Sequence, residues 1–254
     1  MENENREEKD IVLAFFDILG TSQKLINGEL QEVYDFYQHM ATLCSDSDIP
    51  LAIPNRFAHL GGYKAQYLIL SFPLNHAFFS DTFMLWVEHD DFTQATLGGF
   101  LEKCSIIFCE ALKRKIPLRG IVSRGTAIMD EENKIYLGTP IVEAARAEPT
   151  QEWLGVTLAK SCEEFHLSDI RYILPYDKHI KEGQDMWVSK LALDWPRWWR
   201  EREIEKAQLI INSMDTEPKC HKYYENTNKF ITYSEKGDEI WNNILSHGST
   251  TQPQ

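Results

Sequence analysis

The sequence predicts an α/β sandwich, and three observations carry that expectation. The chain opens with an apolar strand, a turn and an amphipathic helix; two apolar runs then flank the reversal "FSDT"; a second long helix leads into another apolar strand. In order these give β-α-β-β-α-β, the split pattern of a ferredoxin-like domain.

The first strand is "IVLAFF", lying between Asp10 and Asp17 and apolar throughout, as a strand buried on both faces would be. In residues 22–43 Leu25, Ile26, Leu30, Val33, Phe36, Tyr37 and Met40 recur at helical spacing. Residues 46–66 hold two prolines and a Gly-Gly pair and predict an irregular loop, long enough to imply a function, with Arg56 and Tyr63 as candidates for touching a ligand. Residues 67–91 predict a β-hairpin whose two apolar runs reverse near Asp81. A helix over 92–115, despite Gly98-Gly99, precedes a strand over 116–129. A hairpin around "DEENK", a helix starting near Pro140 and a short strand "GVTLA" follow. Residues 192–211 predict a strand end, a Pro-initiated turn and one amphipathic helix. The expected organisation is a polar tail over 1–9, a core over 10–170, an extension packed on it over 171–246, and a disordered tail over 247–254.

Composition narrows the function classes. With 26 Lys and Arg against 39 Asp and Glu, a formal charge of −13 opposes non-specific attraction to nucleic acid, so an anionic substrate would need a metal or a local cluster of donors. No apolar run approaches the ~18 residues of a membrane span, and the acidic "MENENREEKD" lacks the pattern of a signal peptide. Five cysteines without a C-x-x-C pair fit reduced thiols in a cytoplasm better than a disulfide framework or a zinc ribbon. "WPRWWR" at 195–200 mixes aromatics and arginines as nucleic-acid surfaces do, but its helical spacing favours packing. "HDD" at 89–91 and Cys220-His221 are weak ligand patterns.

The chemistry concentrates at "FFDILGTS". In a β-α-β-β-α-β core the hairpin strand beside the first brings its turn to the first strand's end, so Asp17 and Asp81 are expected side by side. Two carboxylates suit hard divalent cations, Mn²⁺ or Mg²⁺, that bridge to phosphates. The turn after Asp17 opens a helix whose free N–H groups suit polyphosphate. Each residue also has a plainer role: Asp17 as a helix N-cap, Asp81 as a turn residue, Arg146 as a helix-face partner of Glu143 or Glu148.

"FFDILGTS", "FSDTFMLW" and "GTPIVEAARAEP" resemble, in order, three motifs of the class III nucleotidyl cyclases, over about residues 10–160. The resemblance implies Asp17, Asp81 and the carbonyl of Ile18 as ligands of two Mn²⁺ or Mg²⁺ ions per site, and Phe16, Leu19, Gly20, Thr21 and Ser22 as the nucleotide-binding turn. Arg146 would be the catalytic arginine that meets charge on the α-phosphate. Departures from the pattern concern the base. Val142 stands where purine cyclases carry an asparagine, and Ala77 and Ile135 stand where adenylate cyclases read adenine. With "EAARAEPTQEWLGVTLA" and "LDWPR…YYENTNKF", the chain looks like the pyrimidine cyclases of bacterial Pycsar anti-phage defence. That resemblance implies a cytoplasmic, Mn²⁺-dependent homodimer with shared active sites. It would turn UTP, or less readily CTP, into a 3′,5′-cyclic monophosphate that activates a separate cyclic-nucleotide-gated effector, with no nucleic-acid or membrane partner. A purine cyclase of the same class, or a catalytically dead nucleotide-binding homologue, are the alternatives.

Overall fold

The computed structural model describes residues 7–20, 28, 30–45, 48–52, 67–71, 74–88, 94–163, 172–214 and 220–248. Its main sheet is built outward from β1 (Lys9–Ile18), which lies antiparallel between β5 (Thr82–Glu88) and β6 (Leu118–Asp130). Ile11 to Ala14, Phe16 and Ile18 are buried, so the unbroken apolar run serves both faces of a central strand. β4 (Asn75–Phe79) pairs with β5 across a two-residue turn, and the order β4-β5-β1-β6 is the ferredoxin-like arrangement.

Beyond β6 the sheet continues through β8 (Val156–Ala159), parallel to β6, then β10 (Val188–Leu193) and β9 (Ile173–Pro175). β7 (Ile135–Gly138) folds back on the far end of β6 as the hairpin expected around "DEENK". One sheet therefore runs across residue 170, and the later segment contributes two of its strands.

The helices divide unequally between the faces. Against one face lie α1 (Leu30–Ser45), α2 (Gln94–Lys113), α4 (Trp195–Arg202), α5 (Ala207–Ser213) and α6 (His221–Ser234), with α7 (Gly237–Gly248) packed on their cluster. Among the described residues, the other face is covered by α3 (Thr139–Ala147), through Ala144 and Ala147. The aromatic run at 195–200 resolves as packing, because Trp195, Trp198 and Trp199 are buried and Arg202 stacks on Trp198 while bonding Glu102. All five cysteines are free thiols, and four are buried.

Four expectations need correction. Residues 48–52 form a strand, β2 (Asp48–Ala52), rather than loop, and it pairs with β3 (Tyr67–Ser71) in a separate two-stranded sheet. The run "YLIL" thus serves β2 instead of the hairpin, whose first arm is "NHAFF". Pro73, with no N–H for a ladder, separates the two runs. The one helix expected after a strand end and a turn within 192–211 is two, because the backbone turns extended at Glu203, where the first helix ends. Its start is capped by Asp194, which accepts from the Arg197 N–H, with Pro196 in the first turn. α7 also runs to Gly248, two residues into the stretch expected as tail. The remainder of the 46–66 expectation, with Arg56 and Tyr63, and "HDD" at 89–91 lie outside the described residues.

The turn between Gln151 and β8 is tied to the C-terminal helices. The Leu154 N–H donates to Thr227 Oγ1 at 2.8 Å, and Asn226 Nδ2 donates to the Glu152 carbonyl at 2.8 Å. Trp153 is fully buried edge-on against Phe230 at 4.4 Å. Gly155 is required by that ring, since a Cβ there would fall 2.1 Å from the Trp153 indole. Gly155→Ala should lower the unfolding free energy by roughly 1–3 kcal/mol, measured by urea denaturation; an unchanged midpoint would show that the indole repacks freely.

Candidate active site

β1 delivers Asp17 to the C-terminal end of a central strand, and register sets its neighbours. Pairing places Asp17 opposite Thr82 of β5 and opposite Arg119 of β6, and directly opposed residues share one face. That face is the one covered by α3, since Asp17 alternates with Leu13 and Phe15. Past it the chain is held by two hydrogen bonds, Ile18 N–H to the Asp81 carbonyl and Leu19 N–H to the Pro117 carbonyl, both 2.9 Å. Gly20 then takes φ +80°, a conformation that a glycine adopts without cost.

Asp81 occupies the two-residue turn between β4 and β5, beside Ser80 at φ 50°. From α1, the Tyr37 hydroxyl donates to the Ser80 carbonyl at 2.9 Å and so pins the turn. Burial, then the charges of Asp81 and Asp17, push the Tyr37 phenol up. Asp17 and Asp81 are therefore brought together, as the topology led one to expect.

Two further charged residues complete the cluster. Arg119, almost wholly buried, pairs through Nε with Glu148, donates from Nη1 to the Gln151 carbonyl at 3.1 Å, and holds Nη2 3.7 Å from Asp17 Oδ2. Gln151 is itself fully satisfied: its amide donates to the Gly120 carbonyl at 2.7 Å and accepts from Thr157 Oγ1 at 2.5 Å. Tyr223 of α6 sets its ring 5.7 Å from the Arg119 guanidinium. Two carboxylates thus face one guanidinium, and the Asp81 carboxylate is near enough to act on both of them. The Asp17 carboxyl is pushed up to about 6, by burial first and then by Glu148 and Asp81, with Arg119 opposing. Burial also raises Glu148 against the pull of Arg119.

The donor set fits a hard divalent cation. Two carboxylates of adjacent elements, with the backbone of Ile18 between them, offer oxygen only, and their surplus negative charge is what a cation relieves. Among the described residues no group of three or more His, Cys, Asp or Glu forms a ligand cage. Mg²⁺ is commonly held by one or two carboxylates plus phosphate oxygens and water.

The other expected residues fall in several places. Arg146 is exposed on α3 and stacks over Trp187 at 4.9 Å. Both expected helix-face partners are engaged elsewhere: Glu148 pairs with Arg119, and Glu143 accepts from the N–H and hydroxyl of Ser161. Phe16 turns into the core and stacks on Phe83 at 4.9 Å, so its side chain offers a ligand no surface. Leu19 packs against the same core. Ala77 is buried on β4, whereas Ile135 is exposed at the start of β7, as is Val142 on α3. Thr21 and Ser22 lie outside the described residues.

Arg119, Glu148 and Tyr37 were missed by sequence reasoning. An arginine inside the apolar run "IPLRGIV" was the available signal, but its meaning depends on the register that sets it opposite Asp17.

No protein-family model and no curated protein matches the sequence. Among solved structures, the chain is similar to the adenylyl cyclase CyaB from P. aeruginosa, at 12% identity and TM-score 0.44, over 74% of this chain and 94% of that one. It is similar to the catalytic core of a rhodopsin-guanylyl cyclase with converted specificity, at 11% identity and TM-score 0.46, over 73% and 96%. A third is the guanylate cyclase domain of RhGC from Catenaria anguillulae, at 9% identity and TM-score 0.44, over 73% and 96%. What the site can do is decided by its own side chains.

The raised Asp17 carboxyl has a stability consequence. A folded value of about 6 against 3.8 unfolded means that the folded protein binds the proton more tightly, so stability is lost as pH rises from about 4 to about 6. At pH 7 with EDTA, Asp17→Asn should be more stable than wild type by roughly 1–3 kcal/mol, with the gap closing toward pH 4. Urea melts across that range test this, and a gap independent of pH would contradict it.

Proposed function

We propose that the chain is a nucleotidyl cyclase that converts a pyrimidine nucleoside triphosphate, UTP before CTP, into its 3′,5′-cyclic monophosphate and diphosphate. The observation that carries the reading is the placement of Asp17 beside Asp81 at the ends of adjacent strands, in a half-buried cluster of surplus negative charge. In a protein of net charge −13, setting two half-buried carboxylates side by side with one nearby guanidinium is costly, and a bound cation would relieve that cost.

Asp17, Asp81 and the Ile18 carbonyl would hold two Mn²⁺ or Mg²⁺ ions. Such ions, when bound, supply acidification of the ribose 3′-hydroxyl and charge neutralisation on the departing diphosphate. The protein's own part is orientation: Tyr37 holds the Asp81 turn, and the Ile18 and Leu19 amides hold the end of β1.

Arg146 would stabilise charge on the α-phosphate. Its exposure on the outer face of α3, beside exposed Val142 and the exposed Ile135 and Leu137 of β7, supports a shared site in a two-fold dimer, where the apolar residues meet the partner and the guanidinium reaches the partner's nucleotide. The pyrimidine reading rests on Ala77, Ile135 and Val142, which offer neither the ammonium, the carboxylate nor the amide of the purine pattern. In the reading's full form the protein is cytoplasmic, and the cyclic product is a messenger to a separate effector in anti-phage defence.

Incubation with each of the four nucleoside triphosphates and Mn²⁺ should give cyclic UMP, with cyclic CMP as the lesser product, and Asp17→Asn or Asp81→Asn should abolish turnover. Preference for ATP or GTP would overturn the base assignment, and turnover surviving both substitutions would overturn the site.

The shared site is tested by mixing. Asp81→Ala and Arg146→Ala proteins should each be inactive, yet after subunit exchange half the dimers are heterodimers with one intact site. Activity should return to about a quarter of wild type. A mixture that stays inactive, with exchange shown by energy transfer between labelled subunits, would place Arg146 in its own subunit's site or make its role structural.

A further inference from the structure

We propose that Arg119 is a positioning residue of this site: clamped by Glu148, the Gln151 carbonyl and the Tyr223 ring, it fixes one oxygen of Asp17 and leaves the other to a divalent cation. The inference deepens the cyclase reading and rests on it.

A guanidinium beside a cation site calls for explanation, because a bare positive charge would repel the ion. Here that charge is already matched. The Nε edge is paired with Glu148 and Nη1 with the Gln151 carbonyl, and both partners are buried, so the Arg119–Glu148 pair is neutral as a unit. Only Nη2 is directed to Asp17, and at 3.7 Å from Oδ2 it is an ion pair rather than a hydrogen bond. That contact orients the carboxylate without consuming it. The planar fork makes this division possible, with each edge of one rigid group assigned to a different partner.

The clamp is itself built in. Gln151 is locked to Gly120 and Thr157, and Gly120 neighbours Arg119 on β6. The turn after Gln151 is held by Asn226 and Thr227 of α6, and the same helix presents Tyr223 to the guanidinium. The C-terminal segment thus acquires a role: α6 buttresses, from outside, the group that orients the metal carboxylate. Outer partners of this kind set the orientation of metal ligands generally.

The competing possibility is that Arg119 and Glu148 only staple the 148–151 turn to β6. A charge-balanced pair of substitutions separates the two. In the double variant Arg119→Gln with Glu148→Gln, one positive and one negative charge are removed, so the net charge at the site stays the same and a change in cation affinity reports orientation. Arg119→Lys keeps the charge and loses the fork.

Both variants and the wild-type full chain are titrated with Mn²⁺ in the presence of 3′-deoxy-UTP, which cannot cyclise, and free aquo-Mn²⁺ is read by electron paramagnetic resonance. Folding is followed by thermal melts. The expected result is Mn²⁺ affinity weakened by about 10- to 100-fold in the double variant and less in Arg119→Lys. With UTP, kcat should fall more than nucleotide KM rises. Folded variants that bind Mn²⁺ as wild type does would overturn the inference and leave the cyclase reading standing. Should the double variant not fold, Arg119→Lys decides by the same measure. Wild-type protein that binds no Mn²⁺ with the analogue would overturn both.

Discussion

The structure depends on β1 being paired on both sides in a register that ends at Asp17. An apolar strand enclosed between β5 and β6 cannot slip by one residue without carrying its core residues to the opposite face. That constraint makes the position of Asp17 accurate. The same ladder that buries Ile11 to Ala14 sets Arg119 and Thr82 opposite the carboxylate and brings the Asp81 carbonyl onto the Ile18 amide. Site geometry is thus inherited from core packing, through hydrogen bonds that would exist without any ligand.

The two faces of the sheet divide the work. One is covered by five helices with α7 against them, and it holds most large buried side chains, including Phe16, Phe36, Phe108 and Trp195. The other carries α3, whose outer side leaves Val142 and Arg146 exposed. Stability resides mainly on the first face, and the second is free to carry charge. The C-terminal helices join the two roles, because α6 packs Phe230 into the thick face while its Asn226 and Thr227 hold the turn leading away from Gln151.

The charged cluster costs the fold something. Burial and like-charge neighbours raise both the Asp17 and the Glu148 carboxyls, and one guanidinium only partly offsets them. Such a cluster is the kind of local conflict that persists where function requires it and the surroundings over-determine it. Arg119 limits the cost by neutralising Glu148, which would otherwise stand unpaired in the interior.

By itself the sequence determined the β-α-β-β-α-β order, the placement of Asp17 at a strand end and Asp81 at a reversal, because apolar periodicity and turn chemistry are local properties read over a few residues. It did not determine which apolar run pairs with which: "YLIL" went to β2, and the helix after Trp195 broke at Glu203, since pairing partners and helix breaks answer to distant neighbours. Nor could it show Arg119 beside Asp17. Those residues are far apart in the chain and meet only through strand register, and Glu148, which spacing alone offered to Arg146, was taken by Arg119 because burial leaves an arginine no alternative to pairing. The tertiary structure decided the partners, because a charge in the interior is assigned by what else is buried with it.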